Sequence, residues 1–169
     1  MIHCFKEMNN IELRLTEVKK LQMDVLSAID DFCKSNGIKY SLGEGSMLGA
    51  IRHQGFIPWD DDIDIVLLRT EYNRLMAEFP EVYKGCFKIA SLERNMEWSR
   101  PYAVAYDDNT VIVEAGREKL SIGVKIDIFP VDNIPNGIDV KRFYNRLRHR
   151  MVYYGLSGVP KGSSFLKTI

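Results

Sequence analysis

Four aspartates fall within five positions in Trp59-Asp60-Asp61-Asp62-Ile63-Asp64-Ile65, with isoleucine set between the last two. No other feature constrains the fold as much. Side chains on a strand point alternately to opposite faces, so Ile63 and Ile65 share one face and Asp62 and Asp64 the other. The pattern predicts a strand from Asp62 to Leu68, its apolar face in a core and its carboxylates at an exposed edge. The Cα atoms of Asp62 and Asp64 would then lie ~6.5–7 Å apart. Two unit charges at that distance repel by ~2–2.5 kcal/mol at an effective dielectric of about 20. A divalent cation removes the repulsion, and one shared cation or two can bridge the pair. A solvated acidic turn, the usual fate of a charge run, has no need of Ile63, Ile65 and Val66. An EF-hand loop needs glycine at its sixth position, which counted from Asp60 is Ile65.

Two further segments carry polar chemistry in apolar surroundings. Gly43-Glu44-Gly45-Ser46 leads from an expected strand, Ile38–Leu42, into a short helix through Met47, Leu48 and Ile51, with Ser46 as its N-cap. Glycine lets backbone approach a ligand, and the free N–H groups of a helix start attract anions; a tight turn with a capped helix needs the same residues. The segment is no dinucleotide fingerprint, since Leu48 stands where the third glycine belongs, and no lysine follows as in a P-loop. In Val124-Lys125-Ile126-Asp127-Ile128-Phe129-Pro130 a lone aspartate sits between isoleucines. Burial there is costly unless the carboxylate is paired or metal-bound. Alone it reads equally as an aspartate bonded to backbone or arginine; with Asp62 and Asp64 it can complete a three-carboxylate site. Asp132, after Pro130 in a loop, is the weaker candidate.

The rest of the chain supplies the frame. Asn9 or Asn10 can cap a long N-terminal helix, residues 10–36, whose Ile11, Leu15, Val18, Val25, Ile29 and Phe32 share a face and which stops at Gly37. Gly55 ends the short helix. Thr70 opens another that Pro80 stops. Cys86–Leu92 reads as a strand. Tyr102–Tyr106 and Val111–Glu114 read as a hairpin about Asp107-Asp108-Asn109, and Ile122–Phe129 as a strand closed by Pro130. A basic helix is expected over residues 139–154. This order predicts a single α/β (α+β) domain over residues 1–169, with helices packed on a sheet. At this length roughly 70% of the open chain's surface can be buried without staples. Lys+Arg and Asp+Glu both number 23, which argues against a nucleic-acid partner, since coating a polyanion needs a basic excess. Cys4, Cys33 and Cys86 lack metal or redox spacing and read as free thiols of a reducing compartment. Charged Lys6 and Glu7 precede any apolar run, as in no signal peptide, and no run approaches the ~20 residues of a membrane span. A cytoplasmic location with at most peripheral membrane contact is expected.

The run from Gly45 to Ile65, Gly-Ser-Met-Leu-Gly-Ala-Ile-Arg-His-Gln-Gly-Phe-Ile-Pro-Trp-Asp-Asp-Asp-Ile-Asp-Ile, resembles the signature of the LicD family within the nucleotidyltransferase superfamily. Ile126-Asp127-Ile128-Phe129-Pro130-Val131-Asp132 resembles its second motif. The resemblance implies a nucleotidyltransferase-like mixed sheet and a metal-dependent phosphotransferase. The donor would be CDP-linked, such as CDP-choline or a CDP-sugar alcohol, and the acceptor a cell-surface glycan or lipid-linked glycan. Carried onto this sequence, Gly45 and Ser46 would hold donor phosphate, Asp62 and Asp64 would bind Mg²⁺ (or Mn²⁺), and Asp127 would be a further ligand or the base for the acceptor hydroxyl. Arg52 could reach a phosphate or lie at a solvated helix end. Trp59, Tyr40 and Tyr102 are the aromatic options for a choline cation. The same three aspartates would serve a nucleotidyltransferase moving NMP from NTP, or a non-catalytic nucleotide- or cation-binding module.

Overall fold

A computed structural model describes residues 2–6, 11–94, 98, 100–114, 122–134 and 136–157. In chain order the elements are β1 (Ile2–Lys6), β2 (Ile11–Glu12), α1 (Leu15–Asn36), β3 (Ser41–Leu42), α2 (Glu44–His53), β4 (Asp64–Leu68), α3 (Arg69–Glu78), β5 (Phe87–Ala90), β6 (Ala103–Asp107), β7 (Thr110–Glu114), β8 (Lys125–Val131) and α4 (Val140–Ser157). The fold is a mixed α/β arrangement built on a five-stranded sheet of order β3-β4-β8-β6-β5, with a three-stranded sheet, β2-β1-β7, beside it. In the larger sheet β4 and β8 are parallel and the other neighbours antiparallel.

The core lies on one face of the larger sheet. Ile65 and Leu67 of β4, Ile126 and Ile128 of β8, and Ala103 and Ala105 of β6 alternate inward there. They meet Val25, Ile29, Phe32 and Cys33 of α1 and Tyr72, Leu75 and Met76 of α3. Phe32, Phe79 and Tyr83 close one end as an aromatic trio, with Phe79 centred 4.9 Å from Phe32 and 5.4 Å from Tyr83. Burial pushes the Cys33 thiol up to about 12, so it behaves as a small apolar side chain.

Several boundaries differ from the sequence-based expectations. Helix α1 starts at Leu15, because the Glu17 carboxylate accepts the Arg14 N–H at 2.8 Å and fixes the first turn there; Ile11 pairs instead with Lys6 in the small sheet. Asn9 and Asn10, the expected caps, lie outside the described residues. Its C-terminus is the expected one, at Gly37 with φ 64°. Only Ser41 and Leu42 of the expected Ile38–Leu42 strand find a partner, on β4. Strand β4 begins at Asp64, two residues late. Helix α3 follows it directly, with Leu68 rather than Thr70 at its cap. Strand β5 is shorter than Cys86–Leu92. Helix α4 begins beside Asp139, whose side chain accepts the Arg142 N–H at 3.0 Å.

The expected hairpin is a turn without a ladder. Thr110 Oγ1 donates to the Asp107 carbonyl (2.8 Å) and accepts the Val124 N–H (2.7 Å), so the turn is tied to the segment before β8. A Cβ on Gly123 would lie 1.7 Å from the Asp107 carbonyl oxygen, so only glycine fits at this junction. Strand β7 then leaves the larger sheet and pairs with β1. Ile122, expected within the strand of Asp127, bridges to Ile112 instead. Pro130 does not close β8 either. The β6 ladder stops at Ala103↔Ile128, and beyond it β8 has, among the described residues, a neighbour on one side only, where a residue lacking an N–H is tolerated.

Phe79 is 2% exposed. Phe79→Ala should lower the unfolding free energy by ~3–5 kcal/mol in denaturant titrations, as expected for an emptied aromatic core position. A loss below ~1 kcal/mol would mean that the trio does not anchor this end of the core.

Candidate functional site

The pairing of β4 with β8 sets Asp64 directly beside Asp127, with Ile65 beside Ile128 in the next register position. Side chains alternate, so both carboxylates stand on the sheet face opposite the core. Adjacent strands are ~4.8 Å apart, which brings the two acids side by side. The Asp127 N–H donates to the Ile63 carbonyl at 2.8 Å. On its other flank Asp127 is in register with Val104, which packs with Trp98 and Ala90. Asp64 and Asp127 are 8% and 7% exposed, and carboxylates are seldom this buried without compensation. Burial, then the charges of Asp62 and Asp127, push Asp64 up to about 6, while the positive charge of Lys125 opposes the shift. Asp62 is raised by burial first and by Asp60, Asp61 and Asp127 after it.

Asp62 itself precedes the strand. The Asp60 N–H donates to the Ile57 carbonyl at 3.0 Å, closing a turn through Pro58 and Trp59. That turn spans residues 57–60, and residues 60–63 lie outside the strand. Instead Asp60, Asp61 and Asp62 each offer an oxygen within 4.8 Å of the others. Asp62 links this triple to the Asp64–Asp127 pair through their shared field. An all-carboxylate donor set of this kind suits a hard divalent cation such as Mg²⁺ or Mn²⁺. Asp132 is engaged elsewhere: Arg69 holds both its oxygens at 2.6 Å and keeps the carboxyl below its ordinary range.

Helix α2 is fastened to this pair at its first turn. The Gly43 N–H donates to the Asp64 carbonyl at 2.9 Å, and the Asp64 N–H donates to Ser46 Oγ at 2.8 Å. Ser46 is thus a clamp on β4 rather than the helix cap, which is Gly43. A Cβ on Gly45 would sit 2.6 Å from Asp60 Oδ2, so the missing side chain is what lets the acidic turn close on the helix. Glu44 between them holds φ 41°, a left-handed conformation costly for a residue with a Cβ. Gly45 and Ser46 thus adjoin Asp60 and Asp64, and Asp64 adjoins Asp127; among the described residues the oxygens of Asp62, Asp64 and Asp127 do not all come within 4.8 Å of one another, as those of Asp60, Asp61 and Asp62 do. Arg52 does not join them: it lies exposed at the far end of α2, about 10 Å along the axis, with Nε 3.3 Å from His53 Nδ1. Of the aromatic options, Trp59 is exposed beside the triple, Tyr102 stacks on Phe129 at 4.6 Å, and Tyr40 donates to Asp30 at 2.9 Å.

Two contributors escaped the sequence reading. Gln22 on α1, 4% exposed, donates through Nε2 to the Asp61 carbonyl (2.8 Å) and the Lys125 carbonyl (3.3 Å). It ties the acidic turn to β8, while its Oε1 is buried without a partner among the described residues. The signal was a polar residue between Val18 and Val25 on an otherwise apolar stripe. Lys125 was the other, a lysine at a site-facing strand position two residues before Asp127.

The nucleotidyltransferase-domain profile of the LicD/FKTN/FKRP family matches residues 37–154. The chain is 33% identical over 152 residues to the lipopolysaccharide cholinephosphotransferase LicD of Haemophilus influenzae, a match covering 89% of this chain and 56% of that protein. An uncharacterised protein of Rickettsia typhi is 33% identical over 73 residues, and one of Rickettsia prowazekii 35% over 69 residues. Those matches cover 41% and 40% of this chain and 24% and 26% of the two proteins. The chain thus spans little more than half of the first relative and about a quarter of the others.

Burial in the folded protein pushes Asp64 up to about 6, against about 4 in an unfolded chain. The folded state holds the extra proton, so stability from this group is complete below about pH 4 and lost as the pH rises through 6. Asparagine carries no such dependence. In metal-free protein the stability of Asp64→Asn relative to wild type should therefore climb between pH 4 and 7; a pH-independent difference in denaturant unfolding would refute the shift. Gln22→Leu leaves two carbonyls without their donor and should cost ~1–3 kcal/mol of unfolding free energy.

Proposed function

The chain belongs to the LicD/FKTN/FKRP nucleotidyltransferase-domain family, and from that membership we propose that it is a metal-dependent phosphotransferase, moving a phosphocholine-type or sugar-alcohol phosphate group from a CDP-linked donor to a cell-surface glycan. The name of the Haemophilus relative supports the transferred group and the glycan acceptor. The observation that carries the reading is the register of Asp64 with Asp127, which buries two carboxylates side by side with Asp62 adjacent. Buried like charges repel, Asp64 stays raised despite the charge of Lys125, and a catalytic cation would supply the further counter-charge.

Asp62, Asp64 and Asp127 would hold Mg²⁺ or Mn²⁺, and Asp60 and Asp61 offer further carboxylate oxygens beside Asp62. When bound, the metal would neutralise charge on the phosphate oxygens. The chain's own groups do the rest. The first-turn N–H groups of α2 at Gly45 and Ser46 have no partner within the helix and suit a donor phosphate. The Ser46 hydroxyl, accepting from Asp64, keeps its proton to donate. Asp127 would ligate the ion or take the proton of the acceptor hydroxyl.

No helix among the described residues is long and apolar enough to cross a membrane. Contact with a lipid-linked glycan at the inner membrane face would be peripheral, and exposed Lys141, Arg142, Arg146 and Arg148 of α4 suit an anionic surface there.

The family's domain name keeps one competing reading in play, transfer of NMP from NTP. Calorimetry with CDP-choline and with CTP, with and without Mg²⁺, separates the two. CDP-choline should bind in a Mg²⁺-dependent manner, and Asp62→Asn/Asp64→Asn should abolish that binding. In turnover with a glycan acceptor, single substitutions at Asp62 or Asp64 should reduce the rate ~10²-fold or more, with CMP as product. Preferred CTP binding and release of pyrophosphate would replace this reading with the nucleotidyltransferase one.

A further inference from the structure

The contact between Lys125 and Asp127 has no part in the reading above. Lys125 opens β8 two residues before Asp127, so both side chains stand on the face that carries Asp64. Its ammonium touches Asp127 Oδ1, with 15% of the lysine side chain and 10% of the aspartate side chain exposed. Lysine is seldom this buried unless paired. The backbone at this position is fixed independently of the ammonium: the Lys125 carbonyl accepts from Gln22, and the residue pairs with Tyr106 on β6. The strand is held while the four-carbon stem and its three rotatable donors can reorient without disturbing it. A divalent cation arriving among these carboxylates needs the same oxygen lone pairs and repels the ammonium. A donor phosphate arriving at the first turn of α2 brings new negative charge to the neighbouring position.

We propose that Lys125 is the exchangeable internal cation of the site: it holds Asp127 in the metal-free protein, yields that carboxylate to the divalent ion, and turns its ammonium onto the donor phosphate. The exchange rests on the carboxylate geometry alone; the identity of the phosphate rests on the donor proposed above. No covalent bond is made or broken in the exchange.

Mn²⁺ titration of the metal-free protein, followed through the free-ion resonance, tests the first half in wild type, Lys125→Met and Lys125→Gln. Removing the competitor should tighten Mn²⁺ binding about ten-fold, the scale of one charged hydrogen bond. At saturating Mn²⁺, CDP-choline should bind both variants about ten-fold more weakly than wild type. Two variants are used so that either one that folds decides the result. Mn²⁺ affinity that stays level or falls in the variants overturns the exchange. Unchanged CDP-choline affinity overturns the phosphate contact. A wild type that binds Mn²⁺ but not CDP-choline refutes the proposed donor and leaves the Mn²⁺ comparison to decide the exchange, with CTP as the phosphate probe. A wild type that binds no Mn²⁺ overturns both readings.

Discussion

Everything at this site depends on the parallel pairing of β4 with β8, which holds two buried carboxylates in one register position. A slip of one residue would carry Ile63 and Ile65, or Ile126 and Ile128, onto the polar face and drive aspartates into the core. The apolar packing beneath the sheet therefore specifies the site as firmly as it stabilises the fold. Ile65, Ile126 and Ile128 are fully buried against α1 and α3, and the aspartates between them have no choice of face. Charge repulsion on one side of the sheet is sustained by hydrophobic burial on the other.

The helices then hold this arrangement in place. Helix α1 contributes core side chains along most of its buried face, but at Gln22 it reaches the start of the central strand β8 and grips main-chain carbonyls of both acid-bearing segments. Helix α2 grips the peptide of Asp64 from the other direction, donor to carbonyl and hydroxyl to N–H. Neither clamp touches the carboxylate oxygens of Asp64 or Asp127. Among the described residues Lys125 is what meets Asp127 Oδ1, so geometry is fixed by backbone contacts while the chemistry stays available.

The face-determining alternation was fully legible in the sequence. Ile63, Asp64 and Ile65, and Ile126, Asp127 and Ile128, told which sides were buried, and Gly37 marked a real helix end. Their mutual register was not legible, because nothing local in either segment says which residue of a distant strand will sit beside it. Asp62 reads as part of the strand because the alternation of Asp64 and Ile65 continues back through Ile63, whereas β4 pairs only from Asp64 onward. The helix start was misplaced because Asn9 and Asn10 looked like caps, whereas the Glu17 side chain bonding back to Arg14 decided it. The hairpin at Asp107–Asn109 failed for a tertiary reason: Gly123 and Thr110 draw that turn onto another segment and send β7 into a different sheet. Arg52 looked close to the acids in sequence, but a helix axis separates it from them.

The two tryptophans of the chain occupy opposite environments. Trp98 is 3% exposed, with its indole N–H donating to the Tyr102 carbonyl at 2.7 Å, while Trp59 is 77% exposed and adjoins the acidic triple. Their fluorescence should therefore separate by wavelength, a blue component from the buried indole and a red one from the solvated indole. Trp59 stands within the turn that carries the acids, so the red component is an intrinsic optical gauge of that turn, readable in the unlabelled protein while the blue component serves as its internal reference.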